Sequence, residues 1–219
     1  MNTLSFSSIF QLTYQRFFRY IFWFLLIGIG FTLISLSFGE WARGIFSLLS
    51  SLALGIPIFM IRDIEMSGKA RFWHSIKEMF CQLHRIFIVQ MIWAFTVGLA
   101  SLALLIPGVI LAICLYVYLP NVLIEKRSIG EGWSRSFDLT RGKRWRIFWI
   151  QLGMTLIMNL VVGVFYALGL LLIISFYGPL TVALKMGMIM ISLGTFWALG
   201  PILSTNIYYA LLRSYDESK

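Results

Sequence analysis

The chain has 219 residues, of which 59% are hydrophobic and 12% are charged, and it carries a formal net charge of +9. A soluble domain carries roughly 25% charged residues because its surface must meet water. This composition excludes a soluble globular domain and predicts an all-α integral membrane protein. Its basic residues are expected to orient it and to contact anionic lipid, with no role in nucleic-acid binding.

Six apolar runs are long enough to cross a bilayer as helices, for which about 20 residues are needed. In chain order they cover residues 20–38, 41–61, 86–106, 109–124, 147–175 and 181–212. Pro107 and Gly108 predict a tight turn between the third and fourth runs. Gly200 and Pro201 predict a kink in the last run, although this run is also compatible with two shorter pieces.

Short turns join the six runs into three hairpins, so all the longer polar segments fall on one side of the membrane. Sixteen of the 18 Lys and Arg residues lie in these segments, at 1–19, 62–85, 125–146 and 213–219. The side with the most basic residues faces the cytoplasm. Both termini are therefore expected in the cytoplasm, and the whole chain, 1–219, is expected to form one polytopic domain.

A threefold internal repeat divides the chain into units at roughly 1–61, 62–124 and 125–213, followed by a short tail at 214–219. Within it, residues 85–90 (RIFIVQ) parallel residues 146–151 (RIFWIQ) at an offset of 61 positions. Each unit consists of an amphipathic segment, a basic residue at the membrane edge and a transmembrane hairpin. Gln90 and Gln151 are thus equivalent, and we expect them to cap the corner where each hairpin begins.

The amphipathic segments have helical periodicity. Apolar residues recur every three or four positions on one face, at Phe72, Ile76, Met79, Phe80, Leu83 and Phe87, and again at Ile129, Trp133 and Phe137. A basic amphipathic helix beside a bilayer lies in the interface with its apolar face toward the lipid. The alternative is a cytoplasmic helix packed on the bundle.

Four short segments carry a family resemblance: 120–125 (PNVLIE), 133–137 (WSRSF), 139–145 (LTRGKRW) and 207–213 (IYYALLR). Together they resemble the YciC-type bacterial inner-membrane proteins and the membrane domain fused to some glycerophosphodiester phosphodiesterases. The matching positions are Pro120, Glu125, Ser136, Gly142, Tyr208, Tyr209 and Arg213. Before residue 120 only the topology is similar.

This resemblance implies a multi-pass protein of the bacterial inner membrane and does not imply phosphodiesterase activity. In the fused proteins that activity belongs to a separate soluble domain with acidic and histidine residues, which this chain lacks. We therefore expect a protein that is not an enzyme and has no cofactor.

No metal site is expected. His74, Cys81 and His84 are close in the sequence, but Cys81 and His84 share a helical face that excludes His74, whereas zinc usually takes four ligands from paired spacings.

The leading functional hypothesis is contact with anionic phospholipid in support of envelope homeostasis. The residues expected at lipid headgroups are Arg16, Arg19, Arg85, Arg141, Lys143, Arg144 and Arg146. The alternative is a small transporter or channel, with a path near Lys185, Asn159 and Asn206. The oligomeric state and any partner subunit cannot be predicted from the sequence.

Overall fold

The computed structural model describes residues 6–20, 22–23, 26, 54–175 and 199–217. Helices dominate these residues and no strand occurs among them, which confirms the all-α prediction. In chain order the helices are α1 (Phe6–Arg19), α2 (Gly55–Ser67), α3 (Phe72–Cys81), α4 (Leu83–Ala103), α5 (Leu105–Cys114), α6 (Tyr118–Ile124), α7 (Ile129–Thr140), α8 (Arg144–Ser175) and α9 (199–216).

Two stretches in the described ranges are long and apolar enough to cross a membrane, Leu83–Ala103 and Ile106–Ile124. They correspond to the third and fourth predicted runs and indicate a membrane protein. The fifth predicted run, 147–175, lies within α8. The runs predicted at 20–38, 41–61 and 181–212 lie mostly outside the described residues. Six spans in three hairpins therefore remain a prediction. Whether the last run is one kinked helix or two shorter pieces also stays open.

Helices α4 and α5 form a hairpin whose turn is at Leu104, where the backbone is extended (φ −159°, ψ 137°). The tight turn predicted at Pro107 and Gly108 is wrong, because both residues lie inside α5. Proline is tolerated in the first turn of a helix, where the backbone N–H has no intrahelical acceptor. Gly108 instead lies against α4, because a Cβ built there would be 2.8 Å from Ser101 Cα.

Helix α3 packs mainly against α2, and its predicted apolar face is divided in the structure. Met79 is buried and Ile76 is half-buried against the core, whereas Phe80 and Phe87 are exposed. A helix packed on the bundle accounts for the buried residues. Placement of α3 in the membrane interface remains a prediction.

Two apolar clusters hold the described helices together. The larger one includes Phe17 of α1, Ile58 of α2, Ile147 of α8 and Ile202 of α9. The smaller one joins α4, α5 and α6 to α7 through residues that include Val89, Leu115, Tyr118, Val122, Trp133 and Phe137. Polar side chains are buried beside both clusters, and they are described next.

Candidate functional site

Three of the residues singled out by the resemblance, Glu125, Tyr208 and Tyr209, meet where α6 ends beside α9. The Tyr208 hydroxyl donates a hydrogen bond to Glu125, which also accepts one from Arg127 Nε. The ring of Tyr209 lies 5.3 Å from that of Tyr208, measured between centroids. Glu125 and Tyr208 are 83 positions apart in the chain, so this contact fixes α9 to the α6–α7 segment.

Two further hydrogen bonds attach α7 to the helices before it. Ser136 Oγ donates to the backbone carbonyl of Cys114 at 2.7 Å, and Asn121 Nδ2 donates to the carbonyl of Gly132 at 2.9 Å. Both side chains are buried. Ser136 is one of the matching positions of the resemblance, whereas Asn121 lies in the recognised segment 120–125 without being one of them.

Gly142 and Pro120 from the resemblance have backbone roles. Gly142 has a φ of +76° in the turn between α7 and α8, a conformation that L-residues with a side chain rarely adopt. Pro120 is buried in the first turn of α6. These positions, apart from Arg213, therefore lie at the α6–α7–α8 connection and its contact with α9.

A separate group of ion pairs joins α1, α2 and α9. Glu65 pairs with Arg16 and with Arg213, the latter at 2.6 Å. Asn206 is buried. Its Nδ2 donates a hydrogen bond to Thr13 Oγ1 at 2.9 Å, and its Oδ1 accepts one from Arg16. The guanidinium of Arg16, expected at lipid headgroups, is thus engaged inside the protein, an arrangement that does not favour its predicted lipid role.

Arg62 lies at the centre of a second group, between α2 and α3. Its guanidinium donates to Asp63 at 2.9 Å and to Glu78 at 2.6 Å, and only 9% of its side chain is exposed. The hydrogen bond from Arg62 holds the pKa of the Glu78 carboxyl below its usual value. His74 Nδ1 lies 3.1 Å from Asp63 Oδ2.

The side chains of Asp63, His74 and Glu78 converge closely enough to hold a metal ion, since their ligand atoms lie within 4.8 Å of one another. Arg62, however, already supplies a cation to both carboxylates. The arrangement therefore forms an ion-pair cluster, and the expectation of no metal stays a prediction. The His74, Cys81 and His84 series considered from the sequence does not converge, because Cys81 and His84 are exposed and do not belong to this group.

Residues 141–149, which we call the basic–aromatic segment, form the turn into α8 and its first turns. Arg141 and Arg146 are exposed, and so are Trp145 (75%) and Trp149 (60%). Lys143 is half-buried and donates to Ser214 of α9. Of the other basic residues expected at headgroups, Arg19 is exposed and Arg85 is half-buried.

A groove of about 430 Å³ runs between α5 and the start of α8. Its walls are apolar except at one end, where Arg144 lies beside Trp145; the other lining residues are Ile106, Val109, Ile110, Ile113 and Phe148. The Nε of Arg144 is buried and has no hydrogen-bond partner among the described residues. The guanidinium carbon of Arg144 lies over the ring of Phe137, 5.9 Å from the ring centroid, in a cation–π contact.

A second cavity, of about 410 Å³, lies among α4, α6, α8 and α9. The two glutamines at equivalent repeat positions, Gln90 and Gln151, both line it. Ser204 and Tyr116 add hydroxyl groups, and the described residues that line the cavity include no charged side chain.

Of the residues proposed for a transport path, the two that the structure describes, Asn159 and Asn206, do not converge. Asn159 is exposed and donates to the carbonyl of Thr155 in its own helix at 2.8 Å, whereas Asn206 is buried between α1 and α9. Lys185 lies outside the described residues. Transport therefore stays a prediction without support from these side chains.

One family model matches the chain, over residues 86–216, and its description is the membrane domain of glycerophosphoryl diester phosphodiesterase. The match begins at the start of α4 and ends in α9, so it includes every residue that carried the resemblance and extends it toward the N-terminus. It confirms the predicted relation to such membrane domains. No curated protein and no solved structure matches the chain.

Proposed function

This chain belongs to the family of membrane domains of glycerophosphoryl diester phosphodiesterases, and from that premise we propose that it is a non-enzymatic protein that binds anionic phospholipid. Its setting in this proposal is the bacterial inner membrane, where it supports envelope homeostasis. The phospholipid contacts lie at the basic–aromatic segment.

The observation that carries the proposal is the grouping of exposed cations with exposed tryptophans at the basic–aromatic segment. Four of the eight side-chain carboxylates in the described residues, those of Asp63, Glu65, Glu78 and Glu125, are paired with arginines. The cations of Arg141 and Arg146, by contrast, are exposed beside two exposed tryptophans. Because these four acids pair with other arginines, they do not neutralise Arg141 and Arg146, whose positive charges can attract anions.

The basic–aromatic segment has the composition that a membrane interface favours. Tryptophan is enriched at the headgroup level of membrane proteins, where its ring is partly apolar and its N–H remains hydrated. Each Lys or Arg near an anionic surface contributes about 1 kcal/mol. The polar groups that meet inside the protein are mostly acid–base pairs, and we infer that they stabilise the fold and perform no chemistry.

The proposal is tested by reversing two exposed charges, with Arg141→Glu and Arg146→Glu in one variant. At about 1 kcal/mol per basic residue, removing two attractions weakens anionic-lipid binding roughly 10-fold or more, and reversal adds repulsion. The measurement is native mass spectrometry of the full chain in mild detergent with a mixture of phosphatidylglycerol and phosphatidylethanolamine. We expect wild type to retain phosphatidylglycerol selectively and the variant to lose that selectivity.

A control variant, Arg71→Glu with Lys77→Glu, carries the same total charge change at another exposed place. Arg71 directly precedes α3 and Lys77 lies on it. It distinguishes contact at the basic–aromatic segment from an effect of net charge. Equal selectivity in wild type and the Arg141/Arg146 variant would contradict the proposal, as would an equal loss in both double variants.

A further inference from the structure

The groove between α5 and α8 has apolar walls and one charged lining residue among those described, Arg144. Its walls are formed by Ile106, Val109, Ile110 and Ile113 from α5 and by Phe148 from α8. An α-helix rises 1.5 Å per residue, so the α5 wall from Ile106 to Ile113 is roughly 10 Å long. This length and apolar lining fit a stretch of hydrocarbon chain.

Arg144, which is half-buried, differs from Arg16 and Arg62 in its partners. Arg16 and Arg62 are held by carboxylates, whereas no ion pair or hydrogen bond to the Arg144 side chain is found in the part of the chain that the structure describes. An unpaired guanidinium that is partly removed from water favours an anion. Phosphate is a good match for it, because the planar guanidinium presents paired N–H donors to two oxygens.

We propose that this groove is a specific phospholipid site, in which one acyl chain lies along α5 and the anionic phosphate pairs with Arg144. The proposal rests on the proposed function and narrows it from a basic surface to one defined site. Trp145, at the same end of the groove, lies at the headgroup level beside the phosphate. The occupant carries both a long chain and a negative charge, because the groove offers an apolar wall and a cation together.

Two variants test the two halves of this site separately. Arg144→Gln removes the charge and keeps most of the side-chain length, and Ile110→Trp fills the channel without changing any charge. Each has a matched control outside the groove: Arg71→Gln removes an exposed charge away from the basic–aromatic segment, and Leu102→Trp adds the same ring at an exposed position of α4.

The measurement is native mass spectrometry of the full chain titrated with phosphatidylglycerol of long and of short acyl chains. We expect Arg144→Gln and Ile110→Trp each to bind the most tightly held long-chain lipid about 10-fold more weakly, a loss of one well-made contact. Both controls should stay within about twofold of wild type, a difference of roughly 0.4 kcal/mol. In wild type, the short-chain lipid should bind more weakly than the long-chain lipid.

Two outcomes overturn the proposal and they are distinguishable. If wild type retains phosphatidylglycerol selectively but Arg144→Gln and Ile110→Trp match their controls, the groove is not the site while the proposed function stands. If wild type shows no selectivity for phosphatidylglycerol at all, both the groove site and the proposed function fail.

Discussion

At the scale of single residues, Arg62 shows how a cation is tolerated where water is scarce. It donates hydrogen bonds to Asp63 on its own helix and to Glu78 on α3, so the charges stabilise one another and join two helices. Removing one partner from such a group leaves the other charge uncompensated, which costs more than the pair itself contributes.

Glu78→Gln is expected to lower the free energy of unfolding at neutral pH by about 1 to 2 kcal/mol, because the charged partner of Arg62 is lost while part of the site is open to water. The pKa of Glu78 is lowered from 4.5 in the folded protein. Its contribution to stability is therefore present above pH 4.5 and is lost as the pH falls through the lowered pKa. Thermal unfolding in one detergent, from neutral to acidic pH, measures this. The difference in melting temperature between Glu78→Gln and wild type should shrink as the pH falls.

The control for this prediction is Asp138→Asn, an exposed acid on α7. It should change the melting temperature little at any of these pH values. A Glu78→Gln deficit that is constant from neutral to acidic pH would show that the ion pair is not its source.

The resemblance indicated several of these residues, but not what they contact. Glu125 and Tyr208 both belong to the recognised segments, yet only the structure shows that they bond to each other. Glu65 gave no signal, because a lone polar residue has no periodicity and its partners Arg16 and Arg213 are far away in the sequence. Asn121 lies inside a recognised segment, but only the structure shows its bond to Gly132. Local patterns report which residues are unusual, whereas long-range pairing depends on how the helices pack.

At the scale of elements, the α4–α5 hairpin depends on close approach of two backbones. The Cβ position of Gly108 is occupied by Ser101, with Oγ at 2.1 Å and Cα at 2.8 Å from where a Cβ would be. A backbone atom cannot move aside as a flexible side chain can. Small residues allow such approach between membrane helices, where packing is the main source of association.

Gly108→Ala is expected to destabilise the hairpin by about 1 to 3 kcal/mol, because the added methyl group forces α4 and α5 apart. The matched control is Gly98→Ala, a glycine of α4 with no atom within 4 Å of its Cβ position. Thermal unfolding should show a lower melting temperature for the first variant and an unchanged or higher one for the second, since alanine favours helix. Equal behaviour of the two would mean that the helices are not in contact at Gly108.

Hydropathy predicted the position of this hairpin well, but not the position of its turn. Proline and glycine are common in turns, which is why Pro107 and Gly108 predict a turn. The helix instead begins at Leu105, so Pro107 falls in its first turn and Gly108 serves packing. The same two residue types have several structural uses, and the sequence alone does not distinguish them.

At the scale of the whole molecule, the two ends of the chain are packed together. Asn206 and Arg213 of α9 reach Thr13, Arg16 and Glu65. Helix α1 therefore belongs to the same bundle as the family-matched region 86–216, although it lies outside the match. Composition and charge predicted a single membrane domain, but they gave no indication that its ends meet.

Asn206→Ala is expected to loosen α1, because Thr13 Oγ1 loses its amide donor and Arg16 loses its amide oxygen acceptor in a buried place. Leaving such groups unsatisfied costs about 1 to 3 kcal/mol, so amide exchange in residues 6–19 should become roughly 10-fold faster. Hydrogen exchange followed by mass spectrometry measures this directly. Asn159→Ala, which removes an exposed amide from α8, should leave exchange in α1 unchanged, and acceleration by both variants would refute the role of Asn206.

The contact between α1 and α9 also sets an order in time. A ribosome adds roughly 5 to 20 residues per second. Arg16 and Asn206 are 190 positions apart, so α1 exists for roughly 10 to 40 s before its partner in α9 is made. During synthesis α1 must wait beside the membrane without α9, and its contacts are complete only after α9 has been made.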